Sequence, residues 1–394
     1  MLTNPRPPRL PLPQNSPAFA EKVRRKLIPL ALGNWGNRRL RLPWIPVLTL
    51  AALALLPGAA QASLARIVSV RGSVEVQRAT GTTFQSASPG TALYGPDILR
   101  PSRGSRVEVV CPNGRTRWVV PAGTVSAVNN GCPGTPAALK PEFGVGDLRG
   151  GRDPAIPYVI SPRQDVVLSP TPTLQWNPVA GASQYTVALR TRRGTVWEVT
   201  TPDSTIPYPE DQPPLSPGTR YTLVVQADTG TASTDEPPEL AFNLLAGDGA
   251  TEAAEQIAAG QALDLPELAQ TLMLVEEVYP RYQLTAAAMA DLEALVSQGF
   301  DIAQVRRLLG DIYLRSGLSW LAETNYLRAV ALAIATDNLE EQVMAQYGLG
   351  TLYNRTDNPE AAAAQLAAAQ AGAEALGNAT LAADIAAERQ PLPR

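Results

Sequence analysis

Cys111 and Cys132 are the only two thiols in this chain of 394 residues, which has no histidine at all. Without imidazole there is no Ser-His or Cys-His nucleophilic pair and no histidine-ligated metal. Two thiols alone make a poor metal site, and neither sits in the C-x-x-C arrangement of a redox dithiol. No metal or cofactor is therefore expected. The stretch "GVGDLRGG" has the glycine content of a phosphate loop but breaks the G-x-G-x-x-G spacing at Arg149, and no strand-then-helix pattern surrounds it. The adjacent carboxylates Glu276–Glu277 and Glu340–Glu341 have acid/base chemistry in principle. Neighbouring residues on a helix do not face each other, so the expectation is a solvated helix face.

What the two cysteines do depends on where the chain folds. Residues 44–56, "WIPVLTLAALALL", are uncharged; Arg38, Arg39 and Arg41 precede them, and Ala60 and Ala62 follow at −3 and −1 of a cleavage site after Ala62. A basic flank, a short apolar core and small residues form the pattern of a secretory signal. The core is shorter than the ~20 apolar residues a spanning helix needs. Residues 1–62 are thus expected to be leader and signal peptide, with an uncleaved N-terminal anchor as the alternative. No integral membrane segment is expected after cleavage. In an oxidising periplasm or cell envelope, two cysteines tend to pair, and a structural Cys111–Cys132 disulfide is the expectation. A reactive dithiol is the alternative.

Beyond residue 62 the chain carries 24 basic and 35 acidic residues, a net of −11. Residues 63–135 stand at +5, 136–249 at −5 and 250–394 at −11. No block has the basic balance of a nucleic-acid binder.

The periodicity changes along the chain. Residues 63–135 alternate apolar and polar positions in short runs, "ARIVSVRGSVEVQR", "SRVEVVC" and "TRWVV", with "PNGR" as a hairpin turn. The spacing of Gly72, Val74, Gly90, Leu93, Gly95, Asp97, Ile98 and Val107–Val109 before Asn113-Gly114 resembles the FecR-type periplasmic domain, and the cysteine pair resembles a variant seen in cyanobacterial members. The resemblance implies a β-rich extracytoplasmic sensing or binding module. Residues 136–157, rich in Pro and Gly, form a linker. Residues 158–246 give further short strands. Trp176, then Leu215, Pro217, Gly218 and Tyr221, resemble the core tryptophan and the tyrosine turn of a fibronectin type III sandwich. That resemblance implies a spacer or adhesion module in which the Tyr221 hydroxyl bonds back to the preceding corner.

Residues 250–390 have the 3.6-residue period of helices and repeat internally. Tyr279, Leu284 and Ala288 align with Tyr313, Leu318 and Ala322; Gly310, Tyr313, Ala322, Tyr326 and Ala329 align with Gly350, Tyr353, Ala362, Leu366 and Ala369. This resembles the tetratricopeptide repeat, with Glu276 and Ile334 departing from its pattern. "NATLAADIAAER" reads as a capping helix with Asn378 at its N-cap. The fold class is thus multidomain: a β-rich module, a β-sandwich and an all-α repeat stack.

The tetratricopeptide resemblance implies a groove lined by the first helix of each repeat. It would carry Gln304, Arg307, Asp311 and Arg315 from one copy, and Tyr347, Thr351, Asn354 and Arg355 from the next. Arg281, Arg315 and Arg355 each follow a repeat tyrosine by two residues and are three of only eight basic residues in 250–394. A row of guanidiniums suits carboxylates, and an acidic protein or peptide of the envelope is the expected partner. The alternative is that each arginine pairs with a nearby Asp or Glu at a helix C-terminus. The resulting expectation is a non-enzymatic, exported envelope binding protein. A carboxylate-dependent enzyme acting on cell-wall glycan is the alternative.

Overall fold

The computed structural model describes residues 64–78, 81–112, 114–132, 151–235 and 241–389. The signal-like segment and most of the linker, including "GVGDLRG", lie outside the described residues. Among the described residues no helix is long and apolar enough to cross a membrane. The chain has an N-terminal β-rich part and a C-terminal helical stack.

The first β region contains β1 (Ala65–Arg71), β2 (Val74–Gln77), β3 (Gln85–Ala87), β4 (Ala92–Leu93), β5 (Ile98–Pro101), β6 (Arg106–Val110), β7 (Arg117–Val120) and β8 (Ser126–Ala127), then a single helical turn, α1 (Val128–Gly131). They form two four-stranded sheets, in the orders β4-β1-β6-β7 and β3-β2-β5-β8. The alternating pattern explains the core: Ile67, Val74, Val76, Leu93, Leu99, Val107 and Val109 point between the sheets. β6 and β7 form the expected hairpin. Gly72 joins the sheets at φ +92°, and a side chain there would strike Ser105. Cys111, just after β6, is bonded to Cys132, just after α1. Both cysteines are buried in this core.

The second β region holds β9 (Val159–Ser161), β10 (Val166–Val167), β11 (Leu174–Trp176), β12 (Tyr185–Thr191), β13 (Gly194–Thr201), β14 (Thr205–Ile206), β15 (Arg220–Ala227) and β16 (Ala241–Leu244). One sheet runs β10-β16-β15-β12-β13 and the other β14-β11-β9. Trp176 fills the space between them and meets Tyr185 edge-on at 5.6 Å. The Tyr221 hydroxyl accepts from the Ser216 amide at 2.9 Å, closing the corner before β15.

The stack comprises α2 (Asp248–Gln261), α3 (Glu267–Met273), α4 (Thr285–Ser297), α5 (Ala303–Arg315), α6 (Ser319–Ala335), α7 (Leu339–Arg355), α8 (Pro359–Ala375) and α9 (Ala379–Glu388). A π turn, Leu274–Val278, and a 3-10 turn, Tyr279–Tyr282, continue α3. Asn338, Asn358 and Asn378 cap α7, α8 and α9 with their side-chain oxygens. Small residues set how closely the helices approach. A Cβ on Gly310 would lie 2.6 Å from the Tyr326 ring, and one on Gly348 would lie 2.4 Å from the same ring. Tyr326 of α6 is therefore wedged against both α5 and α7. Gly350 accommodates Leu366 of α8 in the same way.

Candidate functional site

Arg66, Arg78 and Arg117 of the first β region meet carboxylates of the stack at the seam between them, Arg117 of β7 at 2.9 Å from Asp264. Arg66 lies on β1, on the face opposite Ile67, and is 2 % exposed. Its Nη2 is 2.9 Å from Glu276 and 3.1 Å from Glu277, both on the π turn. Its Nη1 donates to the Gly90 carbonyl, and the Leu64 amide donates to Glu277. Arg78, just past β2, places Nη1 2.6 Å from Asp97 and Nε 2.9 Å from Glu340 at the start of α7. Burial disfavours the Arg78 cation, but the Glu340 and Asp97 charges outweigh it and hold its pKa above the usual arginine value. Its guanidinium also lies over the Tyr94 ring.

On the stack, Arg307 of α5 meets Glu341 at 2.6 Å and Asp311, one turn on, at 2.8 Å. Asp311 also accepts from the Tyr326 hydroxyl at 2.7 Å. Burial pushes the carboxyls of Asp311 and Glu341 above the usual range, opposed in both by Arg307. Apolar contacts complete the seam: Val68 and Val110 pack on Ala269, with Leu265 alongside. The amides of Thr82 and Thr83 donate to the Leu376 carbonyl in the α8–α9 connection.

The carboxylate pairs are therefore not a solvated helix face, which corrects the expectation from sequence. Glu276, Glu277 and Glu340 are ligands for arginines of the β region, and Glu341 for Arg307. The helical period places these acids on the stack but carries no information about arginines some 200 residues away in sequence. Arg66 and Arg78 were missed for the same reason. A signal was present: Arg66 and Val68 share the outer face of β1, and an apolar residue there implies that this face is covered too.

The remaining expected groove residues divide into two sets. Thr351 is buried, Gln304 and Tyr347 are half-buried, and Asn354 donates to the Glu388 carbonyl at the end of α9. Arg307 and Asp311 are consumed by the network above. Arg281, Arg315 and Arg355 are exposed, and among the described residues none forms an ion pair. The other described arginines of the stack are engaged: Arg306 and Arg328 by Asp301, and Arg389 by Gln370. Arg315 and Arg355 stand in the last turns of α5 and α7, and the Arg315 charge helps Arg307 to offset burial at the Asp311 carboxyl.

The second β region grips the helix ends. Asp165 accepts from the amides of Thr285 and Ala286, capping α4. Burial raises its carboxyl to about 6 against the pull of these bonds. Arg163 donates to the Ser316 carbonyl after α5, and Arg152 to the Thr356 carbonyl after α7. Between this region and α4 lies a cleft of about 340 Å³ lined by Ser161, Thr173, Gln175, Thr205, Met289 and Glu293. The Tyr313 hydroxyl donates to Glu293 there. Neither the family models nor the curated proteins contain a match to this chain.

Proposed function

We propose that this chain is a non-enzymatic, exported protein of the bacterial cell envelope, built from a FecR-like β module, a fibronectin III-like sandwich and a tetratricopeptide-like stack, and that it binds an acidic protein or peptide. The observation that carries the reading is the division among the stack's arginines. Among the described residues, four are spent on internal partners, while Arg281, Arg315 and Arg355, in aligned repeat positions, are exposed and form no salt bridge. Exposed guanidiniums in a segment of net −11 suit carboxylate ligands from outside. The Cys111–Cys132 bond accords with folding in an oxidising compartment.

On this reading the stack has two duties. The face carrying Glu276, Glu277 and Glu340 holds the chain's own first β region, and the exposed arginines serve the partner. The test is a pull-down from envelope extract with the full chain as bait, followed by titration of the recovered partner at rising salt. Binding weakens with salt and falls at least tenfold in Arg315→Ala plus Arg355→Ala, with helical circular dichroism unchanged. A double variant that binds as tightly as the parent refutes the assignment of the row.

A further inference from the structure

The outer face of α6 carries an apolar seam that no described residue covers. Among the described residues the exposed large hydrophobic side chains are Val119, Val125, Val196, Trp320, Leu327 and Ile334. Three of these six lie on α6 and are spaced by seven. They are 44 %, 48 % and 60 % exposed. At 100° per residue, positions seven apart drift by only about 20°, so the three form one line of roughly 21 Å. Thr324 and Ala331 are exposed on the same face. Together, Trp320, Thr324, Leu327, Ala331 and Ile334 follow the alternating three- and four-residue steps of a coiled-coil seam, large at one heptad position and small at the other.

The edges of the seam indicate what covers it. Glu323 borders one edge and Arg328 the other, five residues apart. In two parallel helices related by a two-fold axis, residues five apart on opposite edges face each other across the seam. Glu323 of one copy would then meet Arg328 of the second, and the reverse. Both side chains retain atoms for this contact. Glu323 accepts from Tyr353 through Oε1, leaving Oε2, and Arg328 holds Asp301 through Nε and Nη2, leaving Nη1. Antiparallel pairing centred on Leu327 would instead bring like edges together, glutamate against glutamate and arginine against arginine. A membrane surface fits less well, because interfacial helices carry Lys and Arg along both borders of the apolar face.

We infer that α6 is a self-association surface, on which a second copy of this chain docks in parallel through Trp320, Leu327 and Ile334, with Glu323–Arg328 pairs across the two-fold axis. This goes beyond the binding role proposed above and uses none of the arginine row.

Sedimentation of the full chain over a range of concentrations tests the pairing. The expected result is a monomer–dimer equilibrium, with the dissociation constant at least tenfold higher in Leu327→Asp while helical circular dichroism is retained. Glu323→Arg alone and Arg328→Glu alone each weaken the dimer, and the double variant Glu323→Arg plus Arg328→Glu restores it. Single cysteines at Trp320→Cys and at Ile334→Cys each cross-link to themselves on mild oxidation. A chain that stays monomeric, a dimer insensitive to Leu327→Asp, or cross-linking confined to a cysteine at 327 overturns the proposal. Lipid-vesicle binding by a monomeric chain that is lost in Leu327→Asp also overturns it and assigns the seam to a membrane surface.

Discussion

Arg78 and Glu340 lie 262 positions apart in sequence and meet with the guanidinium Nε 2.9 and 3.1 Å from the two carboxylate oxygens. The same guanidinium holds Asp97 at 2.6 Å. One side chain therefore joins the interior of the first β region to the start of α7.

The two partners of Arg78 differ in burial, and this sets the expected costs. Asp97 is fully buried, whereas the Glu340 side chain is 30 % exposed. Arg78→Ala leaves a buried carboxylate without its cation and is expected to cost about 3 kcal/mol. Glu340→Ala leaves Arg78 on Asp97 and is expected to cost about 1 kcal/mol. Urea unfolding measures both, and hydrogen exchange in residues 64–78 should accelerate in each variant. Equal costs would mean that Asp97 does not depend on Arg78.

Asp165 gives a pH dependence with a defined sign. Its carboxyl titrates at about 6 in the fold against an ordinary value of 3.8. Between these values the native state binds more protons than the unfolded chain, so stability falls as pH rises from about 4 to about 6. The loss is on the order of 3 kcal/mol at one unit per 1.36 kcal/mol. Comparing urea midpoints of the parent and Asp165→Asn at both ends of the window isolates it. The parent should lose stability relative to the variant on the alkaline side; the opposite trend would show the helix-capping bonds outweighing burial.

Gly310 opposes helix propensity to packing. Gly310→Ala in an open helix gains about 1 kcal/mol. Here the new methyl would sit 2.6 Å from the Tyr326 ring, which Gly348 confines from the other side. Overpacking of this kind costs about 1–3 kcal/mol, so net destabilisation is expected. A thermal melt with a raised midpoint would show that the ring has room to shift.

Local pattern was enough for the elements themselves. The alternation of "ARIVSVRGSVEVQ" places Ile67, Val74 and Val76 between sheets, and the repeat register matches Gly310 with Gly350 and Tyr326 with Leu366, which make equivalent contacts in the fold. The β6–β7 hairpin, the cap at Asn378 and the pairing of Cys111 with Cys132 were equally legible. Each depends on residues close in sequence or on the chemistry of a residue type that occurs only twice.

What covers each face was not legible, because periodicity identifies an apolar or charged face without naming its neighbour. Glu276 and Glu277 look the same in sequence whether water or Arg66 lies opposite. Only the tertiary fold brings β1 across 211 residues to the π turn and turns a nominally solvated pair into a buried ion cluster. The same holds for the arginines. Sequence aligned Arg281, Arg315 and Arg355, but the fold decided that they stay exposed while Arg307, on the same helix as Arg315, is drawn into the interior by Asp311 and Glu341. The physical reason is that an ion pair or a cap depends on distance in space, and loop closure over hundreds of residues leaves no local trace.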